Sequence, residues 1–413
     1  MTVHIVGAGL AGLSAAVALS ARDIPVILSE AAPQAGGRCR SYTDSALGMT
    51  IDNGNHLVLS GNSATAEYLQ TIGAGDRLAG PDTAEFTFVE LPSLRQWRLR
   101  PNRSAIPWWV LSEKRRVPDT GLRDYLSLSA LLRPSTDDKI EDVISCEGPL
   151  WNRLLHPLLL AALNTEPARA SAKLAASILR ETLAKGGDAY RPRIASPSLS
   201  AAFVDPALSF IEARGGEVRL GRRLATLTFE PESGRAESLQ FADGTEALGK
   251  EDTVILALPP WVARDLVPQL TVPDAYHAIV NAHFAFTPPA DAPPMIGVIN
   301  GKAEWIFCFH DRISITVSSA DRLVGEDRET LARDFWEEVS TILKLPPDLP
   351  PWQIVKEKRA TFAATVEEDR KRPPAETRWP NLFLAGDWTD TGLPATIEGA
   401  IRSGRKAASL AGA

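Results

Sequence analysis

Val3-His4-Ile5-Val6-Gly7-Ala8-Gly9-Leu10-Ala11-Gly12 decides the fold. Its first four residues are a short apolar run of the kind that forms a buried parallel strand. Gly7, Gly9 and Gly12 then follow in G-x-G-x-x-G spacing. The first allows a tight turn, the second lets the backbone approach a pyrophosphate, and the third lets helix and strand pack closely. Residues 13–22, rich in alanine and leucine, read as the helix. Its positive N-terminal end, with the amides near Leu10 and Ala11, would face phosphate. Residues 24–28 form a second strand ending at Ser29-Glu30. Glu30 lies 23 positions after Gly7, close to the spacing at which a carboxylate accepts from both ribose hydroxyls. An acid there disfavours a 2′-phosphate and hence NADP. The order strand, glycine loop, helix, strand, acid specifies a dinucleotide-binding unit. A glycine-softened apolar helix would leave the acid unexplained.

Composition bounds the rest. A chain of 413 residues exceeds one typical core, so two domains, or one with a large insertion, are expected. Hydrophobic residues make up 44% and charged residues 23%, ordinary for a globular protein. The net charge of −7 offers no basic field for nucleic acid, and no nucleic-acid motif is present. Cys39, Cys146 and Cys308 are too scattered for a disulfide framework or a metal site, which fits a reducing cytoplasm. The first strand begins almost at Met1, so no signal peptide is expected. The apolar residues 3–21 belong to the glycine-loop unit, and membrane contact would be peripheral.

Along the chain, residues 39–43 read as a strand, and Asp52-Asn53-Gly54-Asn55-His56 as a loop. Residues 85–90 and 96–100 alternate like paired strands. Ile106-Pro107-Trp108-Trp109-Val110-Leu111 followed by Lys114-Arg115-Arg116 has the pattern of an interfacial segment, aromatics at headgroup depth and cations toward anionic lipid. An insertion core with a solvated basic turn is the alternative. Residues 120–185 read as helices, and residues 150–164 are apolar nearly all round, as in a buried helix or a tunnel wall. After Gly186-Gly187 and Phe203-Val204-Asp205-Pro206 come a helix at 207–214 and strands at 217–220, 225–229 and 238–241. Residues 253–258 read as a buried strand stopped by Pro259-Pro260. Strands are expected at 280–286, 295–299, 305–310 and 314–318, and an amphipathic helix at 328–343. A last buried strand delivers Gly386-Asp387, and a helix is expected to start near Pro394.

Pro33-Gln34-Ala35-Gly36-Gly37-Arg38, just after the ribose acid, resembles the flavoproteins with two dinucleotide-binding motifs: the amine oxidase, protoporphyrinogen oxidase and carotenoid desaturase superfamily. The resemblance implies an α/β fold, a Rossmann-like FAD-binding domain with a discontinuous α+β substrate domain. It implies non-covalent FAD, with Gly36 and Gly37 at the phosphates and Arg38 alongside. Asn55 and His56 would pass the flavin, and Val218 would touch the adenine. The Asp387 carboxylate would bind the ribityl chain. Ala395, Thr396 and Ile397 would turn a positive helix end to the flavin N1/O2 edge, where the reduced form is negative. Segments 1–64, 203–275 and 371–413 would bind FAD, and 65–202 with 276–370 the substrate, with 104–116 facing membrane.

Ala385-Gly386-Asp387-Trp388-Thr389-Asp390-Thr391-Gly392-Leu393-Pro394-Ala395-Thr396-Ile397-Glu398-Gly399-Ala400 is narrower still. With the Asp52–His56 segment and residues 151–164, it resembles the squalene-associated FAD-dependent desaturases, the hydroxysqualene dehydroxylases of bacterial squalene and hopanoid synthesis. The resemblance runs end to end. It implies that reduced flavin gives hydride to 12-hydroxysqualene, a long-chain isoprenoid, and that water leaves. Such chemistry needs an acid for the hydroxyl and a dry cavity. His56, Glu166 and Asp390 are the candidate acids, each with a plainer reading as loop contact, helix cap or flavin-loop hydrogen bond. A carotenoid-type desaturase, an amine oxidase and a flavin-bearing scaffold for neighbouring prenyl synthases are the rival readings. A single G-x-G-x-x-G leaves no second dinucleotide domain. The reductant is therefore expected to be external, a transient NAD(P)H or a redox protein. The expected location is cytoplasmic, peripheral on the inner face of the membrane.

Overall fold

The computed structural model describes residues 1–413, apart from the side chain of Leu183. Val3–Val6 lies at the centre of a five-stranded parallel sheet, between Val26–Ser29 and Thr253–Leu256. Glu217–Arg219 and Leu382–Leu384 form its edges. Continuous apolar runs suit a parallel sheet covered on both faces, and the side chains of Val3, Ile5, Ile255 and Leu256 are fully buried.

The helix after the glycine loop runs Leu10–Ser20, starting earlier than its alanine-rich stretch suggests, because Gly9 in extended conformation already serves as its N-cap. It packs on the C-terminal helix Ile397–Ala411. Two glycines set how closely. A Cβ on Gly12 would stand 1.9 Å from the Gly7 carbonyl oxygen, and one on Gly404 would stand 2.1 Å from the Ala11 carbonyl oxygen. Both helices therefore approach backbone that no side chain could clear.

The second large sheet has seven strands, in the spatial order Trp352–Phe362, Tyr276–Phe284, Ile313–Val317, Trp305–Cys308, Met295–Ile299, Phe86–Glu90 and Arg95–Leu99. One face carries Ala282, Ile306, Ile315 and Ile354 against the helix Arg328–Leu343, which buries Phe335 and Trp336 there. On the other face Phe88 stacks on Trp97 at 5.5 Å and meets Trp305 edge-on at 5.8 Å. These aromatics share a core with Trp151, Leu154, Leu155, Leu159 and Leu163, so the apolar stretch 150–164 is a buried helical wall. Trp352–Phe362 was not expected as a strand. It is an edge strand, and its Lys356-Glu357-Lys358-Arg359 run gives little apolar alternation. Pro259-Pro260 does end a strand, but Pro260 also opens the helix Pro260–Leu266, a position that needs no amide donor.

The expected division at 64/65 falls inside the helix Ser63–Thr71. That helix belongs with the first sheet: Ala64, Tyr68 and Leu69 share the core of Leu13 and Ile401. Its amide end is capped from the far end of the chain. The buried Glu398 carboxylate accepts from Ala64 N at 3.1 Å, Thr65 N at 2.9 Å, Thr65 Oγ1 at 2.7 Å and Arg402 Nε at 2.8 Å.

The crossing at Gly404 is testable by unfolding. Gly404→Ala is expected to lower stability by about 1–3 kcal/mol, the usual cost of overpacking. Gly325→Ala, whose Cβ would meet nothing within 4 Å, is expected to stay within about 0.5 kcal/mol of the parent. Urea titration followed by tryptophan fluorescence measures both.

Candidate functional site

The strands of the parallel sheet all point their carboxyl ends to one edge, and the loops that leave them there build a cradle. In the helix Leu10–Ser20 the first return bond is Leu13 N to Gly9 O at 2.9 Å. The amides of Leu10, Ala11 and Gly12 are left for a ligand. Gly36 lies beside this loop, its N donating to the Ala8 carbonyl at 2.8 Å, and Gly37 follows with φ +56°. Unlike Gly12, Gly9 faces open space: a Cβ there would meet nothing within 4 Å. Protein packing does not require that glycine, whereas a pyrophosphate seated on the helix end does. Glu30 closes the strand Val26–Ser29, and its carboxylate accepts from Ala8 N at 2.7 Å and Ala32 N at 2.8 Å. Acceptor capacity remains for two ribose hydroxyls. Val218 sits opposite Leu28 on the adjoining strand, half-buried. The donor set fits an adenine dinucleotide.

The opposite end of the cradle is made by the last strand. Asp387 is buried and its Oδ1 accepts from Arg38 Nη2 at 2.8 Å, while Arg38 Nη1 donates to the Ala360 carbonyl. The Arg38 side chain still keeps 43% of its surface accessible, so it spans two segments and faces the cleft. The C-terminal helix starts at Ile397, three residues later than the proline suggests, because Thr396 is its N-cap, Oγ1 accepting from Gly399 N at 3.0 Å. Ala395, Thr396 and Ile397 thus lie at a positive helix end. One residue the sequence reading missed holds this loop. Fully buried Arg372 donates to the carbonyls of Asp387, Trp388 and Thr389, to Thr391 Oγ1 and to Asp369. Within Arg370-Lys371-Arg372-Pro373 it looks like part of a solvated basic turn, and only the Gly-Asp loop it serves sets it apart.

Asn55 is stitched to the seven-stranded sheet. Its Nδ2 donates to Thr316 Oγ1 at 3.0 Å and to Ile315 O at 3.3 Å, leaving Oδ1 buried without a partner. His56 follows. Burial, and then the Arg38 charge, pull its pKa down to about 4, so its ring is neutral at neutral pH and carries no spare proton. Beside it Leu57 is an exposed apolar side chain. The other two expected acids are elsewhere. Asp390 is exposed, and its Oδ1 accepts from Gly392 N at 3.4 Å. Glu166 is 54% exposed, with Oε1 at 3.3 Å from His156 Nε2. The geometry does not bring the three together. Elsewhere in the seven-stranded sheet Glu304 is half-buried and accepts from Ser318 N at 2.7 Å. Burial raises its pKa to about 7. Nothing in Ala303-Glu304-Trp305 marks it, since a lone glutamate in a hairpin reads as surface.

Trp108 and Trp109 also part company. Trp109 is buried edge-on against Tyr125 at 5.4 Å, whereas Trp108 is 59% exposed. Ile106, Leu111, Leu122 and Leu126 are exposed with it, and the helix Leu122–Leu126 packs beside Trp108–Leu111. Lys114 and Arg115 are exposed alongside. Among the described residues no helix is long and apolar enough to cross a membrane.

Comparison with known proteins bears on this arrangement. Residues 10–411 match the family model of flavin-containing amine oxidoreductases. A hydroxysqualene dehydroxylase of Rhodopseudomonas palustris is 51% identical over 410 residues, covering 99% of this chain and 98% of that one. A second, from Zymomonas mobilis, is 48% identical over 408 residues with the same coverage. Cyclohexylamine oxidase from Brevibacterium oxydans superposes with a TM-score of 0.70 at 15% identity, covering 99% of this chain and 98% of that one, which shows the fold. The chain belongs to the flavin-containing amine oxidoreductase family and, within it, to the hydroxysqualene dehydroxylases.

Proposed function

We propose that this chain reductively dehydroxylates 12-hydroxysqualene to squalene with non-covalently bound FAD. One observation carries the reading: near-half identity to hydroxysqualene dehydroxylases over almost the whole chain. The amides of Leu10 to Gly12 and the Gly36-Gly37 loop would hold the diphosphate, Glu30 the ribose, Arg38 and Asp387 the ribityl end, and the Ile397 helix end the flavin edge. When bound and reduced, FAD supplies the hydride. Binding without a covalent link accords with the thiols present. No cysteine follows Cys308, and burial pushes the Cys39 thiol up to about 12, so it stays protonated and unreactive. Reduction would come from outside, by a transient nicotinamide or a redox protein.

The lobe built on the seven-stranded sheet would take the isoprenoid chain against the Phe88, Trp97 and Trp305 face, and the first sheet with its helices would hold FAD. A thirty-carbon hydrocarbon stays in the bilayer, since each CH₂ exposed to water costs about 0.8 kcal/mol. The apolar patch of Ile106, Trp108, Leu111, Leu122 and Leu126, with Lys114 and Arg115, would be the lip that meets the membrane.

The reaction is tested by anaerobic incubation of dithionite-reduced, FAD-loaded protein with hydroxysqualene, expecting squalene by mass spectrometry. A dehydrogenated polyene from an isoprenoid precursor, or peroxide from an amine, would point to the desaturase or the oxidase instead. Glu30→Gln is expected to weaken FAD binding about tenfold or more by calorimetry, as a charge-assisted hydrogen bond worth about 1.5–3 kcal/mol becomes a neutral one. Trp108→Ser with Leu111→Ser is expected to lower liposome sedimentation at unchanged flavin content. Unaltered sedimentation would place the entrance elsewhere.

A further inference from the structure

One buried cation gathers the carbonyls of the turn that follows the last strand. The Arg372 side chain has no accessible surface. Its Nε donates to the Trp388 carbonyl at 3.4 Å. Its Nη2 donates to the Asp387 carbonyl at 3.3 Å, to the Thr389 carbonyl and to Thr391 Oγ1 at 3.1 Å. Nη1 donates to Asp369 Oδ1 at 3.0 Å. A guanidinium holds its donors in one rigid plane, and here every nitrogen is engaged. The neighbouring Pro373 carbonyl adds a backbone tie, accepting from Asp390 N at 2.8 Å. An irregular turn has no ladder of its own to fix it, so its direction depends on the groups that take its carbonyls.

The groups that Arg372 engages determine which ones the turn keeps free. The Asp387–Trp388 peptide is trans, so its N–H points away from the carbonyl that Arg372 holds. Among the described residues the amides of Asp387 and Trp388 meet no acceptor, whereas Thr389 N donates to the Gly386 carbonyl at 3.1 Å. The Asp387 carboxylate is half engaged. Its Oδ1 accepts from Arg38 Nη2 at 2.8 Å, while Oδ2 meets no donor among the described residues and is not sealed from solvent. Two free amides and one free carboxylate oxygen thus come from adjacent residues, beside Arg38 at the cradle.

Resting on the FAD reading, we propose that Arg372 is a positioning residue for the flavin half of the cofactor. By holding three successive carbonyls it fixes the turn in the one conformation that leaves the Asp387 and Trp388 amides and Asp387 Oδ2 free for the ligand. With no accessible surface, it touches no ligand atom itself. The adenine half is served by other groups, Glu30 and the amides of Leu10 to Gly12, none of which bonds to Arg372. The role is therefore confined to one half of the dinucleotide, and this separates it from a general contribution to folding.

The test compares two ligands by calorimetry on the full-length chain, depleted of flavin and reconstituted. ADP reports the adenine half and FAD reports both, so the parent is expected to bind FAD more tightly than ADP. Arg372→Lys keeps the charge but lacks the planar fork that serves these acceptors. It is expected to weaken FAD binding about tenfold or more while ADP binding stays unchanged. Arg372→Ala supplies a second readout. Arg372 belongs to the wall of a cavity of about 430 Å³ that is also lined by the exposed Glu376 and Arg378, so a guanidinium ion has a route to the slot left behind. Guanidinium, at concentrations that leave the parent folded, is expected to restore FAD affinity to Arg372→Ala and not to Asp387→Asn. Equal losses of FAD and ADP affinity in Arg372→Lys, unchanged FAD affinity in that variant, or a folded Arg372→Ala that guanidinium does not restore, overturns the positioning role. If Arg372→Ala does not fold, the Arg372→Lys comparison decides alone. FAD bound no more tightly than ADP by the parent overturns the FAD reading and this proposal with it.

Discussion

The guanidinium of Arg38 meets the Asp387 carboxylate at 2.8 Å and the Ala360 carbonyl with its other nitrogen. One planar cation near the start of the chain joins two acceptors more than 300 residues later, its fork suiting both at once. Much else depends on that junction. It sets the Gly36-Gly37 turn against the glycine loop on one side. On the other it orients the Gly386-Asp387 turn, which Arg372 clamps from behind. Burial first, and then the Arg38 charge, lower the pKa of His56 to about 4, so the cation that helps frame the cradle also disfavours a charged imidazolium beside it.

The two-stranded ribbon of Ser41–Asp44 and Met49–Asp52, with the loop after it, is tied to the seven-stranded sheet by polar contacts. Asp52 accepts from Ser41 Oγ at 2.6 Å and Leu199 N at 2.9 Å, and pairs with Arg312 at 3.5 Å, where both side chains are almost wholly buried. Breaking one side of such a pair usually costs about 3–5 kcal/mol. Asn53 and Asn55 extend the seam to Glu357, Ile315 and Thr316. Loop residues that read as cofactor contacts in the sequence therefore also tie this ribbon to the strands Ile313–Val317 and Trp352–Phe362.

Much of the cradle was legible because its signals are local. Glycine spacing, an acid at a strand end and the Gly-Asp turn each state their own geometry within a few residues. What was not legible depends on distant partners. Trp352–Phe362 is a strand because Tyr276–Phe284 pairs with it, not because its charged middle favours one. Trp108 and Trp109 are adjacent and chemically identical, and only packing on Tyr125 decides which is core. Glu398 was readable as part of a motif, but its task, capping a helix that begins at Ser63, appears only when the chain's ends meet. Glu304 gave no sequence signal because its partial burial depends on the strands around it.

The order of strands in the parallel sheet has a consequence for biosynthesis. Val3–Val6 pairs on one side with Thr253–Leu256, which in turn pairs with Leu382–Leu384. The helix Leu10–Ser20 packs on Ile397–Ala411. Contacts of such long sequence separation form slowly. The nascent chain must hold this apolar strand and helix without their final partners until residues 382–411 have been made. A chain cut short before Leu382 lacks the Asp387 carboxylate on which Arg38 anchors.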